Sequence, residues 1–313
     1  MPKINVIFMG TTQFSVAIIE TLQKNTNVNL LGVICQPDKQ MDRKKNYVYS
    51  PVKKYCLENN IIFYQPEAVI DIFDKLKKEE IHLIITCAYG QFIPRCILDL
   101  PTIGAYNIHA SLLPKYRGGA PIHYAIINGE TETGITLMKM AKKMDAGDII
   151  FQKSCLILED ETYLTLSDKL KKVATELLEE NWNLLVSKKI NSIPQDEKLV
   201  TFAYNIKKEE TIINFYESCK KIDQKIRGLY NKPMAIWEYN GVTIKIHQAF
   251  PTKIKSELMP GQISQINKSG IFVCTNDYDL QIIKLQLPNK PAQLVSDIIN
   301  GNNIFKVNKN EKV

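Results

Sequence analysis

The 313-residue chain is poor in arginine: four of its 40 basic side chains are Arg (43, 95, 117 and 227) and the rest are lysine. That bias lowers the information in any single Lys and raises it in each Arg. No apolar run approaches the roughly 18 residues that a membrane-spanning helix needs, so no membrane partner is expected. The first apolar stretch stops at Gly10 without a small-residue cleavage site, and the expected location is cytoplasmic. The seven cysteines (35, 56, 87, 96, 155, 219 and 274) are odd in number and scattered. None has the spacing of a zinc site or a disulfide framework, so buried thiols and no metal are expected. The first turn, Met9-Gly10-Thr11-Thr12-Gln13-Phe14, has one glycine where a dinucleotide fingerprint has three. It is no Walker A loop either, which argues against a dehydrogenase or an NTPase.

What is present fits a two-domain enzyme, because a chain of this length exceeds one ordinary core. Charge divides unevenly: residues 1–200 hold 24 Lys+Arg and 23 Asp+Glu (net +1), residues 201–313 hold 16 and 10 (net +6). A basic C-terminal third fits a polyanionic partner, and it fits lysines added for solubility equally well. In the first half, short uniformly apolar runs alternate with helical patterns: strands at Ile4–Phe8, Asn29–Cys35, Ile61–Tyr64, Leu83–Cys87 and Ala105–Ile108, helices at Phe14–Leu22, Pro51–Asn59 and Ala68–Lys78. Such strands belong in a parallel sheet covered on both faces. A long amphipathic helix is predicted at Tyr163–Leu185, a linker over 187–204, and a helix at Glu217–Leu229. Five short alternating segments follow, from Ala235 to Leu285, and suggest a small barrel or sandwich. The expected domains are therefore 1–186 and 205–313. A monomer is the expected state.

Ligands of an open parallel sheet bind beyond the strands' carboxyl ends. There the chain reads Asn107-Ile108-His109-Ala110-Ser111-Leu112-Leu113-Pro114-Lys115-Tyr116-Arg117-Gly118-Gly119-Ala120-Pro121. Period-two geometry puts Asn107 and His109 on one face. An amide can donate to a developing oxyanion, and an imidazole can donate or move a proton. The plainer alternative is an Asn and a His merely satisfied at a strand end. Downstream, Met144-Asp145-Ala146-Gly147-Asp148 presents two carboxylates; Asp145 could orient His109 and stabilise its charged form, while Asp148 suits a turn-stabilising role.

The strings NIHASLLPKYRGGAP and MDAGDI resemble the signature of the 10-formyltetrahydrofolate-dependent formyltransferases. The resemblance runs from FMGTTQFSV near the start to PGQISQINKSGIFVCT near the end. It implies a Rossmann-like domain carrying 10-formyltetrahydrofolate as co-substrate and the catalysis, followed by an OB-like β-barrel that helps to bind tRNA. It implies a catalytic set of Asn107, His109 and Asp145. Ser111, Leu112, Leu113 and Pro114 would form a folate-binding turn, and Ala88, Tyr89, Gly90, Gln91, Phe92, Ile93 and Pro94 a loop lining the pterin pocket. Arg117 belongs to the signature, with a turn-fixing and a ligand role equally open. The stretch before Asp145 departs from the family's usual MDxGLD: Ala141 replaces its carboxylate and Lys143 its glycine.

The acceptor is read from the stretch between Cys35 and Pro51. Its QPD start and the later SPVK resemble the members that formylate initiator methionyl-tRNA, which carry a long basic loop here. Arg43, Lys44 and Lys45 can pair with phosphates, and Tyr47 and Tyr49 offer stacking surfaces. In the second domain Lys207, Lys208, Lys220, Lys221, Lys225 and Arg227 are candidate phosphate contacts. The reading within the same chemistry that competes is a formyltransferase acting on a sugar nucleotide or another small amine. From another class comes a non-catalytic RNA-binding protein on the same fold.

Overall fold

The computed structural model describes residues 3–38, 47–188, 190–299 and 304–308. The chain divides into two compact units, one comprising 1–121, 132–156 and 167–204, the other 122–131, 157–166 and 205–313. This differs from the expected 1–186, 187–204 and 205–313. Residues 187–204 cluster with the first unit because they pair with its backbone: Arg117 N donates to Thr201 O (2.9 Å) and Ala203 N to Arg117 O (2.8 Å). Segments 122–131 and 157–166 cluster with the second unit, where the Gly228 carbonyl bonds His123 Nδ1 and Arg227 Nη1 donates to Glu161 O.

The first unit begins β1 (Ile4–Gly10), α1 (Gln13–Lys24), β2 (Val28–Ile34), α2 (Pro51–Glu58) and β3 (Phe63–Tyr64). It continues through α3 (Phe73–Leu76), β4 (Leu83–Cys87), α4 (Arg95–Leu98) and β5 (Gly104–His109). After α5 (Pro121–Ile127), which opens the second unit's share, come β6 (Glu132–Lys139), β7 (Ile149–Leu156) and α6 (Tyr163–Val186). The sheet order is β3-β2-β1-β4-β5-β6-β7. The first five strands are parallel, whereas β6 runs antiparallel to both β5 and β7. The five strands expected to be parallel are so, and β6 and β7 extend the sheet as an antiparallel edge. Val6–Met9 and Leu83–Ile85 are almost fully buried, and each such side chain contributes roughly 1.5–3 kcal/mol. Those two strands anchor the carboxyl ends on which the site is built.

Gly10 has a local cause. A Cβ there would lie 2.6 Å from Ser15 Cβ and 2.7 Å from Cys87 O. The Ser15 hydroxyl donates to Cys87 O (2.6 Å) and accepts from Thr11 N and Thr12 N (both 3.2 Å), so the turn is filled by its own side chain. The predicted helix over 68–78 is instead a 3-10 turn at Val69–Ile72, capped by the Asp71 carboxylate accepting from the Ala68 N–H (2.9 Å), followed by the short α3.

The second unit holds α7 (Cys219–Gly228), β8 (Ala235–Tyr239), β9 (Val242–Pro251), β10 (Ile263–Asn267), β11 (Gly270–Val273), β12 (Leu280–Gln286), β13 (Gln293–Leu294) and α8 (Val295–Ile298). Its antiparallel sheet has the order β10-β11-β12-β9-β8, with β13 beside β12. Ile222, Ile226, Trp237, Ile244, Ile246, Ile271, Val273, Leu280 and Ile282 form its core. The molecule is an α/β Rossmann-like unit followed by a small β unit. Among the described residues no helix is long and apolar enough to cross a membrane.

Candidate active site

Asn107 and His109 close β5, where Thr86 of β4 pairs with Asn107. The Thr86 hydroxyl donates to Asn107 Oδ1 (2.7 Å). The Asp145 carboxylate can only accept, so the amide end beside it is Nδ2 and its donors point at the site. One of them approaches Asp145 Oδ1 at 3.4 Å. His109 is 6% exposed, and its Nε2 lies 2.9 Å from Tyr116 O. A carbonyl can only accept, so Nε2 carries a hydrogen and the neutral ring keeps its lone pair on Nδ1. Nδ1 lies 3.7 Å from Asp145 Oδ2, beyond a hydrogen bond but close enough to hold an imidazolium.

The three side chains predicted from the sequence therefore meet. Asp145 arrives on a tight turn, with a left-handed φ of +50°. Such a conformation is disfavoured for a residue other than glycine and persists only where its surroundings hold it. Gly118 N donates to Asp145 Oδ2 (2.9 Å), and Gln195 Nε2 donates to the carbonyls of Asp145 (2.9 Å) and Gly147 (2.7 Å). Arg117 is fully buried; Nε donates to Gln195 Oε1 (2.9 Å) and Nη2 pairs with Glu197 (2.8 Å). Its place in the sequence signature is thus a turn-fixing one. Lys143 also reaches Glu197 (3.2 Å), and bonds from Arg117 and Lys143 hold that carboxyl below its ordinary range. Asp148 accepts from the Ser192 hydroxyl (2.9 Å), again on the turn.

The turn at 111–114 spends its polar groups on itself. Ser111 is buried and donates to Lys115 O (2.7 Å); the Thr136 hydroxyl donates to Ser111 O (2.6 Å) and accepts from Leu113 N (3.1 Å). Gln152 Nε2 donates to Leu113 O (2.8 Å) and Thr136 Oγ1 (2.9 Å). Leu113 is buried, while Leu112 and Pro114 are half-buried and offer an apolar surface. In the 88–94 loop, Tyr89 (4% exposed) and Ile93 (6%) belong to the core. Ala88 (φ +47°), Gly90 (φ +77°) and Phe92 are exposed, and Gln91 is half-buried with Oε1 accepting from Tyr89 OH (3.0 Å). The Tyr89 carbonyl accepts from Thr11 Oγ1 (3.1 Å) and Gln36 Nε2 (2.7 Å). Beside this loop a groove of about 370 Å³ is lined by Glu67, Val69, Ile70, Gln91, Phe92 and Pro94.

Arg43, Lys44 and Lys45 lie outside the described residues. The ends of their segment are tied together: Asp38 pairs with Lys53 and accepts from Ser50 N (3.4 Å) and Gln65 Nε2 (3.2 Å). Burial pushes the Asp38 carboxyl up, but these bonds outweigh it and hold the carboxyl below its ordinary range. Tyr47 (60%) and Tyr49 (52%) are exposed. In the second unit Lys207, Lys208, Lys220 and Lys221 are exposed. Arg227 corrects the expectation made for it. Its guanidinium is largely buried, with Nε on Asp223 (2.8 Å) and Nη1 on Glu161 O (2.8 Å), and these bonds occupy the fork a phosphate would need. Lys225 donates to Ile212 O (2.7 Å), and burial lowers its ammonium's pKa.

Sequence reasoning missed Thr86, Thr136, Gln152 and Gln195, each separated from its partner by 16 residues or more. It also missed Phe202 and Tyr204, exposed and stacked with ring centroids 5.3 Å apart, on either side of the buried Ala203. Burial pushes the thiols of Cys35 up to about 11 and of Cys56 and Cys87 up to about 12, away from nucleophilic use. Among the described residues no group of three or more His, Cys, Asp or Glu could hold a metal ion.

A model of the formyl transferase family matches residues 2–181, and a model of the formyl transferase C-terminal domain matches residues 205–303. The chain is 46% identical over 303 residues to the methionyl-tRNA formyltransferase of Ureaplasma urealyticum, covering 97% of this chain and 99% of the relative. It is 40% identical to the protein of the same name from Staphylococcus aureus, over 95% and 96% of the two chains. Among solved structures, a sugar 3N-formyl transferase crystallised with dTDP and 5-N-formyl-THF superposes with a TM-score of 0.65 at 20% identity, over 93% of this chain and all of that one. HypX from Aquifex aeolicus, in complex with tetrahydrofolic acid, gives 0.62 at 16% identity, over 94% of this chain and 46% of that one. These two likenesses are of fold.

Proposed function

The chain belongs to the formyl transferase family, and we propose that it moves the formyl group of 10-formyltetrahydrofolate onto the α-amine of initiator methionyl-tRNA in the cytoplasm. The observation that carries this reading is the meeting of Asn107, His109 and Asp145 at one strand end, with donors, a base and a carboxylate facing one point. The near full-length likeness to relatives named for methionyl-tRNA supports the choice of acceptor.

In this mechanism the neutral α-amine attacks the formyl carbon, a carbon–nitrogen bond forms, and the formyl oxygen becomes an oxyanion. Asn107 Nδ2 donates to it. The Nε2–H bond to Tyr116 O leaves Nδ1 of His109 free to take the proton that the attacking nitrogen must lose. The imidazolium then faces Asp145 Oδ2 and donates in its turn to the oxyanion. Collapse breaks the bond to the folate nitrogen, which leaves with the proton returned from His109. Every step balances without a metal or a covalent enzyme intermediate.

The folate is assigned to Ser111–Pro114, whose apolar face suits a flat ring, and to the exposed backbone of Ala88 and Gly90. The tRNA is assigned to the basic 39–46 segment, with Arg43, Lys44 and Lys45, and to Lys207 and its exposed neighbours in the second unit. Tyr47, Tyr49, Phe202 and Tyr204 offer ring faces to unpaired bases. By this reading the first unit is the folate-binding, catalytic domain and the second the tRNA-binding one. Incubation with 10-formyltetrahydrofolate and charged initiator and elongator Met-tRNAs tests it. Formylation of the initiator is expected; transfer to neither tRNA overturns the reading, and equal transfer to both removes the selectivity for the initiator.

A further inference from the structure

Asp145 holds a left-handed φ of +50° on its turn, and the backbone of that turn is fastened by a side chain from a distant segment. We propose that Gln195, on the segment the sequence suggested was a linker, is the positioning residue that sets the Asp145 carboxylate for formyl transfer. One side-chain amide closes a ring of contacts. Its Nε2 spends both hydrogens on the turn, bonding Asp145 O at 2.9 Å and Gly147 O at 2.7 Å. Its Oε1 accepts from Arg117 Nε at 2.9 Å. The residue after Arg117, Gly118, donates its amide to Asp145 Oδ2 at 2.9 Å. Main chain and carboxylate of Asp145 are thus fixed from the same short stretch of chain, one through Gln195 and the other directly.

The supports behind Gln195 are themselves held. Arg117 is fully buried and tied at Nη2 to Glu197, two residues beyond Gln195. Its backbone N–H and carbonyl are taken by Thr201 and Ala203. Gln195 therefore sits between a fixed guanidinium and a strained turn, and only a group with one acceptor and two donors at this reach serves both. Glutamate keeps the acceptor for Arg117 and lacks the donors.

The proposal rests on the reading that Asp145 serves formyl transfer, and it is tested in the full chain with 10-formyltetrahydrofolate and initiator Met-tRNA. Gln195→Glu and Gln195→Ala are each expected to slow single-turnover transfer about ten- to a hundredfold, since an ångström of misplacement can cost that much. KM for the folate and the tRNA should stay within about threefold of wild type, and circular dichroism should show Gln195→Glu folded, because the Arg117 contact survives. A Gln195→Glu enzyme with wild-type kcat overturns the proposal. So does a loss that appears in both KM values with kcat unchanged, or one that tracks only the fraction of protein folded. Failure of the wild-type protein to formylate the tRNA would be a failure of the functional reading instead, seen in the control arm.

Discussion

Gly118→Ala perturbs the site at a point where backbone geometry and catalysis meet. Gly118 has a φ of +128°, and a Cβ built on it would lie 2.5 Å from Ala203 O and 2.9 Å from Ala203 C. The first fact costs of order 1–3 kcal/mol for any side chain. The second is a backbone clash that no rotamer relieves, worth about 1–3 kcal/mol more as overpacking. Relief must come from moving the 117–120 turn or the 201–203 segment, and either motion pulls the Gly118 amide from Asp145 Oδ2. A hydrogen bond to a charged group is worth about 1.5–3 kcal/mol. Converted at about 1.4 kcal/mol per tenfold, the single-turnover rate should fall roughly ten- to a hundredfold. Urea unfolding followed by far-UV circular dichroism reads the stability, which should drop by about 2–6 kcal/mol; quenched-flow formyl transfer on the folded fraction reads the rate. An unchanged midpoint would refute the geometry. Lost stability with a normal rate would refute the role of the amide in holding Asp145.

Thr86→Val keeps the shape of a buried side chain but removes the donor to Asn107 Oδ1, leaving that oxygen unsatisfied at a cost of about 1–3 kcal/mol in stability. Transfer should slow about three- to tenfold with KM for the tRNA unchanged, and Thr86→Ser should restore it; a Val enzyme at full rate contradicts the orienting role. The second unit should weaken in acid. Burial pushes His123 below its ordinary 6.5, against the pull of the Gly228 carbonyl, and burial lowers His247 as well. A histidine held neutral in the fold is protonated first in the unfolded chain, so its stability contribution is complete above about pH 6.5 and is lost as pH falls below it. Denaturation midpoints taken between about pH 7.5 and 5 should show this decline, and His123→Gln should flatten it in part; equal slopes in both proteins contradict the assignment.

The pairing of Asn107 with His109 was legible because alternation along a strand places both on one face whatever surrounds them. The strand β4 was legible to the residue, since Leu83–Cys87 is apolar but for Thr86. Strand direction was legible for the first five strands, whose apolar runs read as a parallel sheet, and not for β6 and β7, which pair antiparallel. Helix α5 escaped because Ile122, Ala125 and Ile126 are buried while His123 and Tyr124 are half-buried, leaving no clear polar stripe. Gln195 was hidden for another reason. Its segment is polar, with Pro and Asn nearby, and reads as a linker until its partners at Arg117, Asp145 and Gly147 are in view. Arg227 shows the converse error, since a charge taken for a surface contact is spent on Asp223 and Glu161.

The central claim is that donors converging at the end of β5 stabilise the oxyanion of formyl transfer. It is tested most directly by the single-turnover rate of Asn107→Leu with 10-formyltetrahydrofolate and initiator Met-tRNA, both saturating. Loss of one oxyanion donor predicts a rate roughly a hundred- to a thousandfold below wild type. A rate near that of the wild-type enzyme would contradict the account.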